Sequence, residues 1–168
     1  LQMLMLHQKK LNIAVIGEII FDRYIETKEL SKPSKENILA VESNRDITFF
    51  GGALASAITL SKFCNKVDFY SAGKLDSKSQ KKLKKYIQSI KNLKLTNDTD
   101  TEFHSITKKR FLNNNRKKLF EVYDKYGSIF EYKKDFLLKK LKKNIEKYDL
   151  VIACDFGHGL INEKLKIE

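Results

Sequence analysis

Apolar positions fall into two rhythms along this chain. Residues 11–17, Leu11-Asn12-Ile13-Ala14-Val15-Ile16-Gly17, form an almost unbroken apolar run that stops at glycine, the pattern of a strand buried on both faces. Residues 67–73 and 149–155 repeat it, the second ending in Asp155. Between these runs the spacing becomes helical. Leu54, Ala57, Ile58 and Ser61 follow Gly51-Gly52; Leu83, Tyr86, Ile87 and Ile90 share a face of residues 77–91, with lysines opposite; Phe136, Leu137, Leu138, Leu141, Ile145 and Tyr148 mark a third stripe. Strands alternating with helices predict an α/β domain whose mostly parallel sheet is covered by helices on both faces.

The remaining segments are shorter and more polar. Residues 24–30 mix apolar, threonine and charged positions, and residues 31–37 hold the single proline and read as a loop. Residues 38–42 and 46–50 are two short strand candidates flanking a turn-like Ser43-Asn44-Arg45. Residues 93–95 suggest one more short strand, and residues 101–112 and 117–123 a further pair split by Asn113-Asn114-Asn115-Arg116. These pieces predict a small β-element inserted after the first core strand. No internal repeat, low-complexity tract or domain linker interrupts the pattern.

Composition adds bounds. A chain of 168 residues with 42% hydrophobic content supports one main domain with one good-sized core. No apolar run approaches a membrane span. Residues 1–10 place apolar before basic positions, the reverse of a secretory signal, so a cytoplasmic location is expected. Cys64 and Cys154 sit in apolar segments and read as buried free thiols, and no spacing of cysteine and histidine argues for a metal. The net charge of +12 would suit an anionic partner. The lysines are scattered over polar helix faces, without a basic stripe interleaved with aromatic side chains, so nucleic acid ranks last among the partners considered.

Three segments carry candidate chemistry. Asp22 follows the first strand, where open α/β sheets bind ligands; its carboxylate could accept hydrogen bonds from neighbouring hydroxyls, or simply cap a turn. Gly51 and Gly52 precede a helix, where a ligand could approach backbone amides, although a tight turn explains them equally. Asp155 and His158, in Asp155-Phe156-Gly157-His158-Gly159-Leu160, end another apolar strand and could contact a ligand or form an ordinary exposed loop.

Taken in order, Gly-Glu-x-x-x-Asp-Arg-Tyr, the β-insertion, Gly-Gly-Ala-Leu-Ala and Asp-Phe-Gly-His-Gly-Leu resemble the PfkB/ribokinase sugar kinases, and within them the branch acting on heptose 7-phosphate in the ADP-heptose route to lipopolysaccharide, with its relatives fused to a cytidylyltransferase-like domain. Lys108 and Arg110 fall in a segment similar to the Lys-x-Arg strand of that branch, and residues 118–123 resemble the strand after it. The resemblance runs from about residue 11 to residue 160. It implies a ribokinase-like fold over residues 1–168, the N-terminal portion of a kinase domain with its C-terminal half absent, and lid strands within about residues 23–50 and 101–123. It implies substrate contacts from Asp22, Gly51, Gly52, Lys108, Arg110, Asp155 and His158, with Arg110 or Lys108 meeting a phosphate. It also implies ATP and Mg²⁺ in the intact kinase, neither binding this chain strongly by itself, and pairing of subunits through the lid. Further partners would be the missing half or a fused nucleotidyltransferase domain.

The chain departs from the pattern in three places. Glu18 stands where the family usually has Asp, no asparagine follows the glycine pair within residues 55–59, and none of the seven glycines begins the Gly-x-Gly-Asp that supplies the family's base and anion hole. No catalytic residue is therefore assigned. Two readings remain open: the sugar-binding portion of an ATP-dependent carbohydrate kinase, or an inactive relative serving as a sugar-phosphate-binding or dimerising module.

Overall fold

The run of Ile13, Ala14, Val15 and Ile16 is apolar on both sides because it becomes the middle of a sheet. In the computed structural model, which describes residues 11–30, 38–124, 132–133 and 135–163, strand β1 (Asn12–Gly17) lies between β4 (Lys66–Ala72) and β8 (Leu150–Cys154), with β5 (Leu93–Asp98) beyond β4. All three pairings are parallel. Helices α1 (Ala53–Ser61) and α2 (Ser77–Gln88) cover one face, closing a core of Ile13, Val15, Leu54, Val67, Phe69 and Leu83. Helix α3 (Phe136–Lys142) covers the other, over Ala14, Ile16, Tyr70, Leu137 and Leu141.

Local chemistry sets the helix limits. The Asp76 carboxylate accepts from the backbone N–H of Lys78 and Ser79, both at 3.0 Å, and starts α2. The helix ends at Gln88, short of the expected residue 91, where the Ser89 hydroxyl donates to the Tyr86 carbonyl at 2.6 Å and diverts the last turn. The third stripe likewise breaks at Lys142 and resumes as a 3₁₀ turn, Ile145–Lys147.

The inserted β-element is larger than the sequence suggests. Strands β2 (Ile19–Glu29), β3 (Val41–Gly52), β6 (Ile106–Leu112) and β7 (Lys118–Asp124) form a second sheet in the order β3-β2-β6-β7. The two short strands expected over residues 38–42 and 46–50 are one long strand. Ser43-Asn44-Arg45 continues it because Thr27 and Glu26 of β2 pair with Ser43 and Arg45, the extra residue being absorbed as a bulge. The expected strand from residue 101 begins only at Ile106, since residues 101–105 turn back to the core through the Lys74–His104 bridge. The loop expected over residues 31–37 and the stretch 1–10 lie outside the described residues.

One apolar strand is not buried as its pattern implies. On β8, Leu150 is 46% and Val151 37% exposed. Its partner on one side is β1, and no strand among the described residues pairs with its other edge.

Candidate functional site

Asp22 sits within β2, not in a loop after a strand. Its neighbours across the ladder are Phe49 of β3 and Lys108 of β6. Because strand side chains alternate between faces, this register places Asp22 and Tyr24 on one face of the second sheet with Phe49, Gly51, Lys108, Arg110, Glu121 and Tyr123. Gly51 is what makes room. A methyl group there would overlap Asp22 Oδ2, so the carboxylate lies flat against bare backbone. The opposite oxygen, Oδ1, accepts a short hydrogen bond from Arg110 Nη1.

Arg110 is held from three directions. Its Nε donates to Glu121 Oε1 at 3.0 Å, its Nη1 to Asp22, and its guanidinium lies 5.2 Å from the centre of the Tyr24 ring. Burial works against its charge, and the Asp22 and Glu121 carboxylates more than offset this, raising its pKa above the ordinary arginine value. Lys108 points over the Tyr123 ring at 5.4 Å, and Tyr123 O–H donates to Glu121 Oε2 at 3.2 Å. The result is a half-open surface in which one carboxylate oxygen faces a glycine floor, ringed by a fixed arginine, a lysine and two tyrosines. Tyr24, Glu121 and Tyr123 were not singled out from sequence. The alternation of residues 118–123, which puts Glu121 and Tyr123 on one side, is the signal that could have found them.

The neighbouring corner is built around Glu18. Gly52 has φ 62° and ψ −148°, a conformation that suits glycine, and a Cβ there would come within 2.6 Å of the Glu18 carbonyl oxygen. That oxygen accepts from Ala53 N–H at 3.0 Å, fixing the start of α1 beside β2. The Glu18 side chain is fully buried. Its two oxygens accept from the N–H of Phe156 and Leu160, each at 3.3 Å, so the carboxylate reaches into the loop bearing Asp155 and His158. Burial raises its pKa above the usual glutamate value, while the backbone donors pull the other way. The structure thus joins Asp22, Gly51, Gly52, Lys108 and Arg110 on one sheet face and its bordering turn, and ties the loop of Asp155 and His158 to the same corner through Glu18.

The reverse face of the sheet is separate. It carries Arg23, bound to Asp46, and Lys109, bound to Asp124 at 2.7 Å. A cleft of about 620 Å³ opens between this face and the start of α2, lined by Phe21, Lys74, Asp76, Ser79, His104 and Thr107. No residue proposed from sequence lines it.

No family model matches the chain. It is 24% identical over 160 residues to the bifunctional protein HldE of Aliarcobacter butzleri, covering 94% of this chain and 33% of that protein. Among solved structures, a carbohydrate kinase from Agrobacterium tumefaciens superposes with a TM-score of 0.60 at 15% identity, over 87% of this chain and 45% of that one. A microbiome-derived acarbose kinase, Mak1, superposes with a TM-score of 0.61 at 12% identity, over 86% and 46%. The chain therefore spans a third of its curated relative and less than half of these kinases, and its fold is the ribokinase-like α/β fold of the PfkB-type carbohydrate kinases.

Proposed function

We propose that this chain is the sugar-binding portion of an ATP-dependent carbohydrate kinase that phosphorylates a hydroxyl of a sugar phosphate such as heptose 7-phosphate. The observation that carries the reading is the Asp22 carboxylate lying on the Gly51 backbone with Arg110 bound to one oxygen. A partly exposed carboxylate that rests on bare glycine backbone and is bound by arginine through one oxygen keeps acceptor capacity for the hydroxyls of a polyol. Tyr24 and Tyr123 supply ring faces beside it. Arg110 already serves two carboxylates, so the phosphate contact falls first to Lys108, with the remaining guanidinium donors of Arg110 in support.

The nucleotide and Mg²⁺ would be held by other residues. The chain contains no Gly-x-Gly-Asp to supply a base and an anion hole. Phosphoryl transfer depends on those elements for positioning and charge stabilisation, so this chain binds the acceptor sugar and leaves transfer to the remainder of a kinase. A second reading, a binding and dimerising module, is favoured by one feature. The reverse face of the lid sheet exposes Phe120 and Val122, with Phe111 stacked on Phe120 at 4.4 Å, an apolar patch suited to a second copy.

Titration calorimetry of the chain with heptose 7-phosphate, and with the unphosphorylated heptose, tests the first reading. Binding of the phosphate ester is expected, weakened about tenfold or more by Asp22→Asn, since hydrogen bonds to a charged group are worth about 1.5–3 kcal/mol. Weaker binding of the free heptose would locate the phosphate contact. Equal affinity of wild type and Asp22→Asn, or no heat with either sugar, would overturn the reading.

A further inference from the structure

A carboxylate withdrawn completely from water needs a reason, because burial of a charge is costly unless hydrogen bonds offset it. Among the described residues, no cation forms an ion pair with Glu18. Its side chain is 0% exposed, and its two oxygens are used on two backbone N–H groups of one loop, Phe156 and Leu160, at 3.3 Å each. These donors lie on either side of His158 in sequence. Meanwhile the backbone oxygen of the same residue accepts from Ala53 N–H at 3.0 Å, directly after the glycine pair. One residue thus joins three strand-end segments: the β1–β2 corner leading to Asp22, the Gly51-Gly52 turn, and the loop from Asp155 to Leu160.

The loop has fixed ends and needs a hold between them. Its start follows Cys154, which pairs with Gly17. Its finish, Leu160, is fully buried in the core beneath α3, and the Gly159 carbonyl accepts from Tyr132 N–H at 2.9 Å. Asp155, Phe156 and Gly157 between them are exposed. Without an internal acceptor, the Phe156 N–H would have to find water, and the loop could lift from the corner.

We infer that Glu18 is a positioning residue: its carboxylate clamps the residue 155–160 loop against the Gly51-Gly52 turn, so that Asp155 and His158 stand at the rim of the Asp22 site. This gives the departure at position 18 a purpose. Two well-separated amides are bridged by the two oxygens of one carboxylate, and the glutamate side chain carries it one methylene further from the backbone than aspartate would. The inference rests on the sugar-site reading for what the loop does, and on geometry alone for how it is held.

Amide hydrogen exchange and sugar binding, measured on the same 168-residue chain, test the two parts separately. In wild type, Phe156 and Leu160 N–H should exchange slowly. In Glu18→Gln, which keeps the size but leaves one N–H facing an amide group, protection at these two positions should fall about tenfold or more, with Val15 N–H unchanged as a gauge of the whole fold. Glu18→Asp should lose protection at one or both, and Glu18→Ala, if it folds, at both. Heptose 7-phosphate affinity should fall with the loss of protection, and the Asp22→Asn chain should keep that protection while losing affinity. Unchanged exchange at Phe156 and Leu160 in Glu18→Gln would overturn the clamp whatever the sugar does. Lost protection with intact sugar affinity would overturn the claim that the loop borders the site. Lost protection in a chain that binds no sugar even as wild type would overturn the sugar reading and leave the clamp standing.

Discussion

Individual residues in this site act by the space they leave as much as by the groups they present. Gly51 contributes no side chain, yet the Asp22 carboxylate occupies the volume a side chain would take. Gly51→Ala should therefore destabilise the chain by about 1–3 kcal/mol, the range for overpacking a filled site. The cause can be isolated with a second substitution. In Asp22→Ala the volume is free, and adding Gly51→Ala to it should cost less than about 0.5 kcal/mol, giving strong coupling in a double-mutant cycle. Urea unfolding of the four chains measures this; equal cost of Gly51→Ala with and without Asp22 would mean that the glycine's role in β3 does not depend on the carboxylate. The arginine beside it shows the complementary case. Arg110 is positioned by Asp22, Glu121 and the Tyr24 ring together, so it belongs to the architecture of the carboxylate before it belongs to any ligand.

Among the elements, the parallel core was legible because continuous apolar runs and helical stripes have few alternative readings; β1, β4 and β8 each fall within two residues of the expected bounds. The lid was harder. The polar stretch Ser43-Asn44-Arg45 has the composition of a turn, but pairing with β2 carries the strand through it, and no local signal announces such a partner. The motif puts Asp22 after the first strand, whereas it lies within β2, because the strand that holds it is defined by β3 and β6 on either side. β8 was read as fully buried from its composition, whereas Leu150 and Val151 are substantially exposed. An apolar edge of this kind invites association. Val151→Lys should change unfolding free energy by no more than about 0.5 kcal/mol, as exposed positions generally do. It should also shift sedimentation of concentrated samples toward the monomer. Loss of several kcal/mol would instead show that Val151 is buried against something in solution.

At the scale of the whole molecule, the second sheet must be held at a fixed pose against the core. Covalently it is joined at four places: the short β1–β2 corner and the Gly52–Ala53 bond, and the longer connections from β5 to β6 and from β7 to α3. Non-covalently, Ile19 and Phe21 of β2 reach into the main core, and an aromatic chain extends the contact: Phe21 meets Phe50 of β3 edge-on at 5.9 Å, and Phe50 meets Tyr86 of α2 at 4.9 Å. Lys82 of α2 adds a cation 5.9 Å over the Phe50 ring and donates to the Thr48 carbonyl at 3.2 Å. Phe50 is the middle of this chain and lies on the face of β3 opposite Phe49 and Gly51, so its removal leaves the Asp22 side of the sheet chemically intact. Phe50→Ala should cost about 2–4 kcal/mol, somewhat under the range for a fully buried phenylalanine because Phe50 is only partly covered. The informative result is where the loss falls. If the aromatic chain docks the second sheet, amides of β2, β3, β6 and β7 should exchange faster by a larger factor than those of β1 and β4, because local opening of that sheet then precedes global unfolding. Uniform acceleration across both sheets would show that they unfold as one cooperative body, with Phe50 no more than a member of its common core.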